Sequence, residues 1–243
     1  MSDSAQLNHT TDERIKKFSK LRKALIRPEL GGIVGTVAVF TFFLLFAYDS
    51  GMFNSRGVMN WSIVSAQFVI IAVGAGLLMI AGEFDLSVGS MIGFAGMMIA
   101  IFSVTLGWPV WVAILVTFVM CLGVGALNGF IVIRTGLPSF IVTLALLFIL
   151  RGLTIFLPQV IVRKTIIGGV KDVAEGDWLA VLFDGKILTG LFSWLGEEGL
   201  IATFERGTRA GQPIVSGVPM LIVWAIVLML FGHFLLTLSL IHI

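Results

Sequence analysis

Six apolar runs, each long enough to cross a lipid bilayer, constrain this chain more than any other feature of its sequence. A helix rises 1.5 Å per residue, so about 20 residues cross a hydrocarbon core of about 30 Å. The runs therefore predict an all-α fold, a polytopic transmembrane helix bundle with about six spans. We place these spans at residues 31–48, 62–82, 86–106, 110–133, 137–157 and 218–236.

Composition supports a membrane protein and excludes most soluble classes. Hydrophobic residues make up 58% of the 243 residues and charged residues 12%, whereas soluble domains are about one quarter charged. So few charges cannot cover the surface of a soluble protein of this size. We divide the chain into a basic amphipathic N-terminus at 1–30, a five-span membrane core at 31–157, a long loop at 158–217, and a sixth span with the chain end at 218–243.

Basic residues are concentrated before residue 31 and predict the orientation of the chain. Segment 14–26 mixes Lys and Arg with apolar side chains, which is typical of an amphipathic helix on a membrane surface. Because positive charge favours the cytoplasmic side, we expect a cytoplasmic N-terminus and no nucleic acid partner. Counting spans then places 83–85 and 134–136 inside the cell and the 158–217 loop outside.

The long loop contains two short apolar runs, one with Trp178 and one with Trp194. Both runs are too short to cross a membrane. They suit helices that rest at the outer membrane interface, where Trp is enriched. A loop that packs on the ends of the spans fits the same pattern.

A polar segment separates the second and third spans. Residues 81–90 contain two acids, Glu83 and Asp85, together with Ser87 and Ser90. Polar groups at membrane depth cost several kcal/mol each unless they are paired. Two interpretations stay open, a broken backbone beside a wet cavity and a short turn in which Asp85 caps the following helix.

Arg151 is the only charge deep inside a predicted span, in the outer third of span five. We expect it to face the bundle, a pore or a partner, or to reach the outer interface with its long side chain. A pair with Asp85 requires segment 83–90 to dip into the membrane. Asn128 and Thr143 are lesser polar points, and each can bond to a backbone carbonyl.

Motifs of common enzyme and cofactor sites are absent from the sequence. It contains no G-x-x-x-x-G-K-[ST], no H-E-x-x-H and no G-x-S-x-G, so it lacks the patterns of a nucleotide-binding loop, a metalloprotease and a hydrolase. One Cys and three scattered His give no metal-binding pattern. We therefore expect no catalytic residue, no metal and no cofactor in this chain.

Three stretches together resemble a known family. Residues 82–90 resemble the G-x-x-D-L-S-V-G-S signature of permeases in bacterial ABC importers for monosaccharides, the ribose/xylose/galactose type. Residues 127–129 with 137–144 resemble the N-G…P-x-F-I-x-T-L segment of that family, and residues 148–152 its downstream R-G element. The site residues that the resemblance implies, as lining of the pathway or family motif, are Gly82, Asp85, Leu86, Ser87, Gly89, Ser90, Asn128, Gly129, Pro138, Phe140, Thr143 and Arg151.

The resemblance implies a permease subunit that forms the pathway for a monosaccharide in the bacterial inner membrane and performs no bond chemistry. It also implies a second permease subunit, ABC ATPase subunits and a periplasmic sugar-binding protein as partners. The family continues beyond its sixth span into a coupling loop and further spans, whereas this sequence stops at residue 243. We therefore expect a C-terminally truncated chain whose last six or so residues are not family sequence.

Two alternatives remain. The first is an ion-coupled secondary transporter in which Glu83, Asp85 and Arg151 relay a proton or another ion. The second is a structural membrane subunit without a pathway. The energy source of uptake distinguishes the first alternative from an importer, and the absence of a polar strip beside a cavity would favour the second.

Overall fold

The structure, a computed structural model, describes residues 28–205 and 209–238. The amphipathic helix predicted at 14–26 lies outside the described residues, as does the chain end from residue 239. The chain divides into two compact units, Met1–Asn54 and Ser55–Ile243. In the first unit, helix α1 (Pro28–Phe46) leads into a single 3₁₀ turn at Tyr48–Ser50.

The second unit is built from long apolar helices, which confirms the predicted all-α polytopic bundle. Five segments are long and apolar enough to cross a membrane, and the apolar part of α1, Leu30–Phe46, is shorter. Between residues 28 and 238, most helix starts and ends fall close to the predicted spans, because length and hydropathy define both. Helix α2 instead begins at Ser55, seven residues before the predicted start at 62. The long helices of this unit are α2 (Ser55–Ile80), α3 (Val88–Ala100), α4 (Val110–Thr135), α5 (Ser139–Val162) and α9 (Met220–Leu238).

Two other helices differ from the predicted spans in their winding or in their length. Helix α3 continues into a π-helical turn at Ile101–Thr105, which lengthens the third span by one wide turn. Helix α5 extends to Val162, beyond the predicted end at residue 157, with Pro158 buried inside its last turns. A proline is tolerated within a membrane helix where neighbouring groups satisfy the freed carbonyl.

The core of the second unit lies where α3 packs against α5. Its buried cluster consists of Phe94, Met98 and Ile101 from the third span and Leu146 and Leu150 from α5. Most other apolar side chains of the long helices stay exposed, as is typical of surfaces that face lipid.

Helix α9 packs closely on α2, and a glycine permits the approach. A Cβ atom added at Gly232 would lie 2.8 Å from Cγ1 of Val73. That distance is too short for any residue larger than glycine unless one helix moves. Close backbone approach at small residues is the usual basis of helix packing in membranes.

The chain between α5 and α9 is folded rather than extended. Strands β1 and β2 pair antiparallel, with Lys186 opposite Pro219 and Ile187 opposite Val218. Thr203 forms an isolated bridge with Pro213 further along the chain. The short elements are α6 (Val170–Val173), α7 (Trp178–Asp184), β1 (Lys186–Ile187), α8 (Thr189–Glu197) and β2 (Val218–Pro219).

Hydrogen bonds attach this folded segment to one end of the bundle. The side chain of Trp224, near the start of α9, donates from Nε1 to the carbonyl of Leu182 at 2.9 Å. Its ring also stacks on Phe183 with centroids 5.7 Å apart. We call this end of the bundle, where α4 and α9 begin, the loop end. The opposite end, where α2 and α4 finish and α3 and α5 begin, is the motif end.

Candidate functional site

The connection between α2 and α3 is a short non-helical turn at the motif end. Helix α2 ends at Ile80, and Gly82 follows with a φ of +83°. This left-handed conformation favours glycine and closes many helix C-termini. The N–H of Glu83 then donates to the carbonyl of Leu78 at 3.1 Å, which satisfies one of the last helical carbonyls. Of the two interpretations that the sequence left open, the structure shows the short turn, but the N-cap of α3 is Ser87 and not Asp85.

Two hydroxyl groups of α5 bind the backbone of this turn. The N–H of Phe84 donates to Oγ of Ser139 at 3.0 Å, and the N–H of Leu86 donates to Oγ1 of Thr143 at 3.2 Å. Four helical residues rise about 6 Å, and two residues of extended chain span about 6.6 Å. The spacing of the hydroxyls therefore matches alternate N–H groups. We call residues 83–86 with these two side chains the hydroxyl clip.

Both hydroxyls of the clip are buried in the first turn of α5, with Ser139 9% and Thr143 3% exposed. Thr143 Oγ1 also donates to the carbonyl of Ser139 at 2.8 Å, so it acts as donor and acceptor at once. A buried N–H that loses its acceptor costs about 1–3 kcal/mol. Removal of either hydroxyl would therefore weaken the attachment of the turn to α5.

A second set of hydrogen bonds connects the turn to α4. Oδ1 of Asp85 accepts from the N–H of Ser87 at 2.7 Å and from its hydroxyl at 2.6 Å. Oγ of Ser87 in turn accepts from Nδ2 of Asn128 at 3.4 Å. Ser87 is 1% exposed and Asn128 5%. We call these three residues the Asn–Ser–Asp chain.

The two ends of the Asn–Ser–Asp chain differ. Asp85 is exposed, and its carboxylate lies just before Val88, the first residue of α3. A negative charge there is favourable, because a helix N-terminus carries partial positive charge. The buried Oδ1 of Asn128 has no hydrogen-bond partner among the described residues. The chain therefore ends in an unused acceptor inside the protein.

Arg151 lies at the midpoint of α5, twelve residues after Ser139 and eleven before Val162. The sequence placed it in the outer third of the span, because the predicted span ended before Pro158. Within residues 28–205 and 209–238, the carboxylate of Asp85 bonds to Ser87 and not to Arg151. Arg151 instead borders an open groove of about 490 Å³ between α3 and α5, lined by Gly89, Ser90, Gly93, Leu147, Arg151, Thr154 and Ile155. We call this the α3–α5 groove.

The predicted site residues thus fall into three sets. Asp85, Leu86, Ser87, Asn128 and Thr143 are joined by the hydrogen bonds at the motif end. Gly89, Ser90 and Arg151 lie together in the α3–α5 groove. The remaining four make no such side-chain contacts: Gly82 ends α2, Pro138 precedes α5 as its N-cap, Phe140 is 51% exposed, and a Cβ at Gly129 would meet nothing within 4 Å.

Sequence reasoning missed two residues that build this arrangement. Ser139 lies four residues before Thr143, and this spacing of hydroxyls on one helix face was the available signal. Gly232 lies in an apolar run without a second small residue at the usual spacing, so no sequence pattern marked it. Within the described ranges, no three side chains of His, Cys, Asp or Glu come together as metal ligands.

Known proteins resemble this chain. A family model described as "Branched-chain amino acid transport system / permease component" matches residues 57–241. Its match covers the second unit almost completely, including both the hydroxyl clip and the α3–α5 groove. No solved structure matches the chain.

Several curated relatives are permease proteins. The chain is 42% identical over 123 residues to the xylose transport system permease protein XylH of Escherichia coli (strain K12), across 51% of this chain and 31% of the relative. It is 32% identical over 161 residues to the XylH protein of Haemophilus influenzae, across 65% and 43%. It is 37% identical over 89 residues to the fructose import permease protein FruF of Bifidobacterium longum, across 37% and 25%.

The matched segments span less than half the length of each of these relatives. The family match, by contrast, covers most of this chain. Since the helices of that match are long and apolar enough to cross a membrane, family and fold agree that this is a membrane protein. The chain belongs to the family of permease components of the branched-chain amino acid transport type.

Proposed function

We propose that this chain is the permease subunit of an ABC importer and carries the translocation pathway for a monosaccharide. The observations that carry the proposal are the family match over residues 57–241 and the similarity to relatives named for xylose transport and fructose import. The chain performs no bond chemistry in this function. A separate ATPase subunit supplies the energy, in line with the absence of a nucleotide-binding loop motif from the sequence.

The motif end supports this function by fixing the start of α3. The hydroxyl clip attaches residues 83–86 to α5, and the Asn–Ser–Asp chain attaches the next turn to α4. Three helices thereby meet at one small, hydrogen-bonded contact. A transporter that opens alternately to the two sides of the membrane moves groups of helices as rigid bodies. It therefore needs fixed contacts between the helices of each group.

The proposed setting is the bacterial inner membrane with a cytoplasmic N-terminus. In that orientation the motif end faces the cytoplasm and the loop end faces the periplasm. The concentration of basic residues before residue 31 supports this direction. The partners are a second permease subunit, ABC ATPase subunits and, at the loop end, a periplasmic sugar-binding protein.

Transport of radiolabelled monosaccharides by membrane vesicles tests this function. The vesicles would contain the chain together with the proteins that copurify with it. We expect uptake of a pentose or hexose that requires ATP and persists when an ionophore collapses the ion gradients. Uptake that follows the proton or sodium gradient and ignores ATP would favour the ion-coupled secondary transporter.

A further inference from the structure

Arg151 places a positive charge at the centre of a helix that crosses the membrane. Its side chain is exposed, and it makes no hydrogen bond or ion pair within the described part of the chain. The ends of α5 are twelve and eleven residues away, which is about 16–18 Å along the helix axis. Half of a hydrocarbon core is only about 15 Å, so Arg151 lies near the midplane of the bilayer.

Exposure to lipid at that depth is unfavourable. Insertion measurements give about 2.5–3.5 kcal/mol for Arg at the centre of a membrane helix. Charged side chains within membrane segments therefore face a water-filled space, a partner or the interior of the bundle. Arg151 is not in the interior, since the core of the unit consists of apolar side chains on the neighbouring face of α5.

The groove beside Arg151 is open and carries a few polar groups among mainly apolar ones. Ser90 and Thr154 contribute hydroxyls, and a Cβ at Gly89 would meet nothing within 4 Å. At Gly93 the same atom would lie 3.7 Å from Cγ2 of Thr154, so the floor of the groove is closed by ordinary contact. A volume of about 490 Å³ lies in the range of about 300–1,000 Å³ that small-molecule sites occupy.

The opposite face of α5 differs in character. Ile149 and Phe156 are 54% and 60% exposed, and both are apolar. At about 100° per residue, they lie on the far side of the helix from Arg151. The face of α5 opposite Arg151 is therefore apolar, whereas the face beside α3 carries Arg151 and Thr154 together with the apolar Leu147 and Ile155.

We propose that the α3–α5 groove lines the water-filled pathway and that Arg151 donates hydrogen bonds there to the hydroxyl groups of a carbohydrate. A guanidinium group carries five N–H donors in a planar fork, and sugar hydroxyls accept such bonds. Ser90 lies one turn from Ser87, so the Asn–Ser–Asp chain fixes its position at the rim. The choice of a carbohydrate rests on the proposed function, whereas access of water to the groove does not.

Cysteine accessibility tests the groove directly. The native Cys121 is replaced by Ser, and single cysteines are introduced as Ser90→Cys and Thr154→Cys in the groove. Ile149→Cys and Phe156→Cys are matched controls on the opposite face of the same helix. In sealed proteoliposomes, we expect a charged thiosulfonate reagent to modify the groove cysteines at least about tenfold faster than the controls, since it reacts only where thiols are hydrated.

Equal, slow modification at all four positions would overturn the assignment of the groove to a wet pathway. Disulfide formation between the Ser90→Cys side chains of two copies would also overturn it, because the groove would then be an interface between subunits. Each variant is first compared with the Cys121→Ser parent by size-exclusion chromatography. Only variants that elute like the parent enter the rate comparison.

Protection by sugars tests the ligand. Xylose, ribose and fructose are added in turn, and we expect at least one to slow modification at Ser90→Cys about threefold or more. In the Arg151→Gln variant this protection should be lost while modification stays fast. Fast modification without protection by any pentose or hexose would overturn the carbohydrate assignment. Protection together with gradient-driven uptake would leave the groove standing and contradict the ABC importer instead.

Discussion

Asp177 accepts a hydrogen bond from the backbone N–H of Trp111 at 3.0 Å, although 66 residues separate them in the chain. This bond uses Oδ2, while Oδ1 accepts from the N–H groups of Leu179 and Ala180. Trp111 is the second residue of α4, and α7 begins just after Asp177. One carboxylate therefore caps two helix N-termini and attaches the folded loop to a membrane span.

Asp177→Ala should destabilise both helix starts. Loss of an N-cap costs about 0.5–2 kcal/mol, and here two helices lose their acceptor. We expect the free energy of unfolding to fall by about 1–3 kcal/mol, because the variant loses the N-cap of α7 and also the hydrogen bond to Trp111. Chemical denaturation in lipid bicelles measures it. The control is Asp184→Ala, which removes an exposed carboxylate at the other end of α7, and an equal loss in that variant would contradict the double cap.

Loss of the clip hydroxyls should expose the backbone of residues 83–86 to exchange with solvent. In Ser139→Ala and Thr143→Val, the N–H groups of Phe84 and Leu86 lose their acceptors. We expect hydrogen exchange of peptides covering residues 83–87 to quicken about 5- to 30-fold, which corresponds to about 1–2 kcal/mol. Mass spectrometry of the detergent-solubilised chain measures this rate.

Thr154→Val is the matched control for the clip. Its hydroxyl donates to the carbonyl of Leu150 within the same helix and touches no other element through that bond. Exchange at residues 83–87 should stay unchanged in this variant. The conservative changes Ser139→Thr and Thr143→Ser should restore slow exchange, and slow exchange in Thr143→Val would refute the role of its hydroxyl.

Asn128→Leu should reduce sugar uptake while it leaves the stability of the protein nearly unchanged. The buried Oδ1 of Asn128 has no partner in the described structure, and its Nδ2 makes only a long bond of 3.4 Å to Ser87. The variant leaves no buried donor unpaired, because the hydroxyl of Ser87 still donates to Asp85, and it removes a buried acceptor that has no partner. We therefore expect unfolding free energy to change by less than about 0.5 kcal/mol while sugar uptake falls several-fold.

Asp85→Ala provides the contrast to Asn128→Leu. It removes two short bonds to Ser87, at 2.7 and 2.6 Å, one of them between a hydroxyl and a carboxylate. Hydrogen bonds to charged groups contribute about 1.5–3 kcal/mol. The contribution to stability is smaller here, because solvent screens the exposed carboxylate of Asp85. We expect a loss of about 1 kcal/mol by the same denaturation assay. A larger loss in Asn128→Leu than in Asp85→Ala would contradict this ranking.

Gly232→Ala should force α2 and α9 apart. The added methyl group would lie 2.8 Å from Cγ1 of Val73, a branched side chain whose rotamer is stiff. Overpacking of this kind costs about 1–3 kcal/mol. Gly76→Ala is the control, since its methyl group would meet nothing within 4 Å on α2. Thermal unfolding in detergent should show a lower midpoint for the first variant and an unchanged one for the second.

The sequence predicted the long helices well because the signal for a membrane span is local. Twenty apolar residues must form a helix wherever they cross a bilayer, so the starts of α4 and α5 needed no knowledge of their neighbours. The end of the fifth span was less local. The predicted span ended at residue 157, whereas α5 runs on through Pro158 to Val162, so Arg151 lies at the midpoint of the helix and not in its outer third.

The contacts of the site depended on non-local information. The clip exists because the N-terminal turn of α5 lies beside residues 83–86, more than fifty positions earlier in the chain. Nothing in the hydropathy of Ser139 or Asp177 indicates which backbone N–H each will meet. Nor does the apolar run around Gly232 indicate that this glycine will lie against Val73 of α2.

The π-helical turn at Ile101–Thr105 makes the third span sensitive to chain length. Such a turn holds one residue more than an α-helical turn does. Deleting a single residue there would let the helix wind regularly, whereas a deletion elsewhere in α3 would rotate all later side chains by about 100°. Relatives that lack one residue at this place would therefore keep the side chains that follow the turn in register with the rest of the unit, and length variation among third spans should concentrate at this turn.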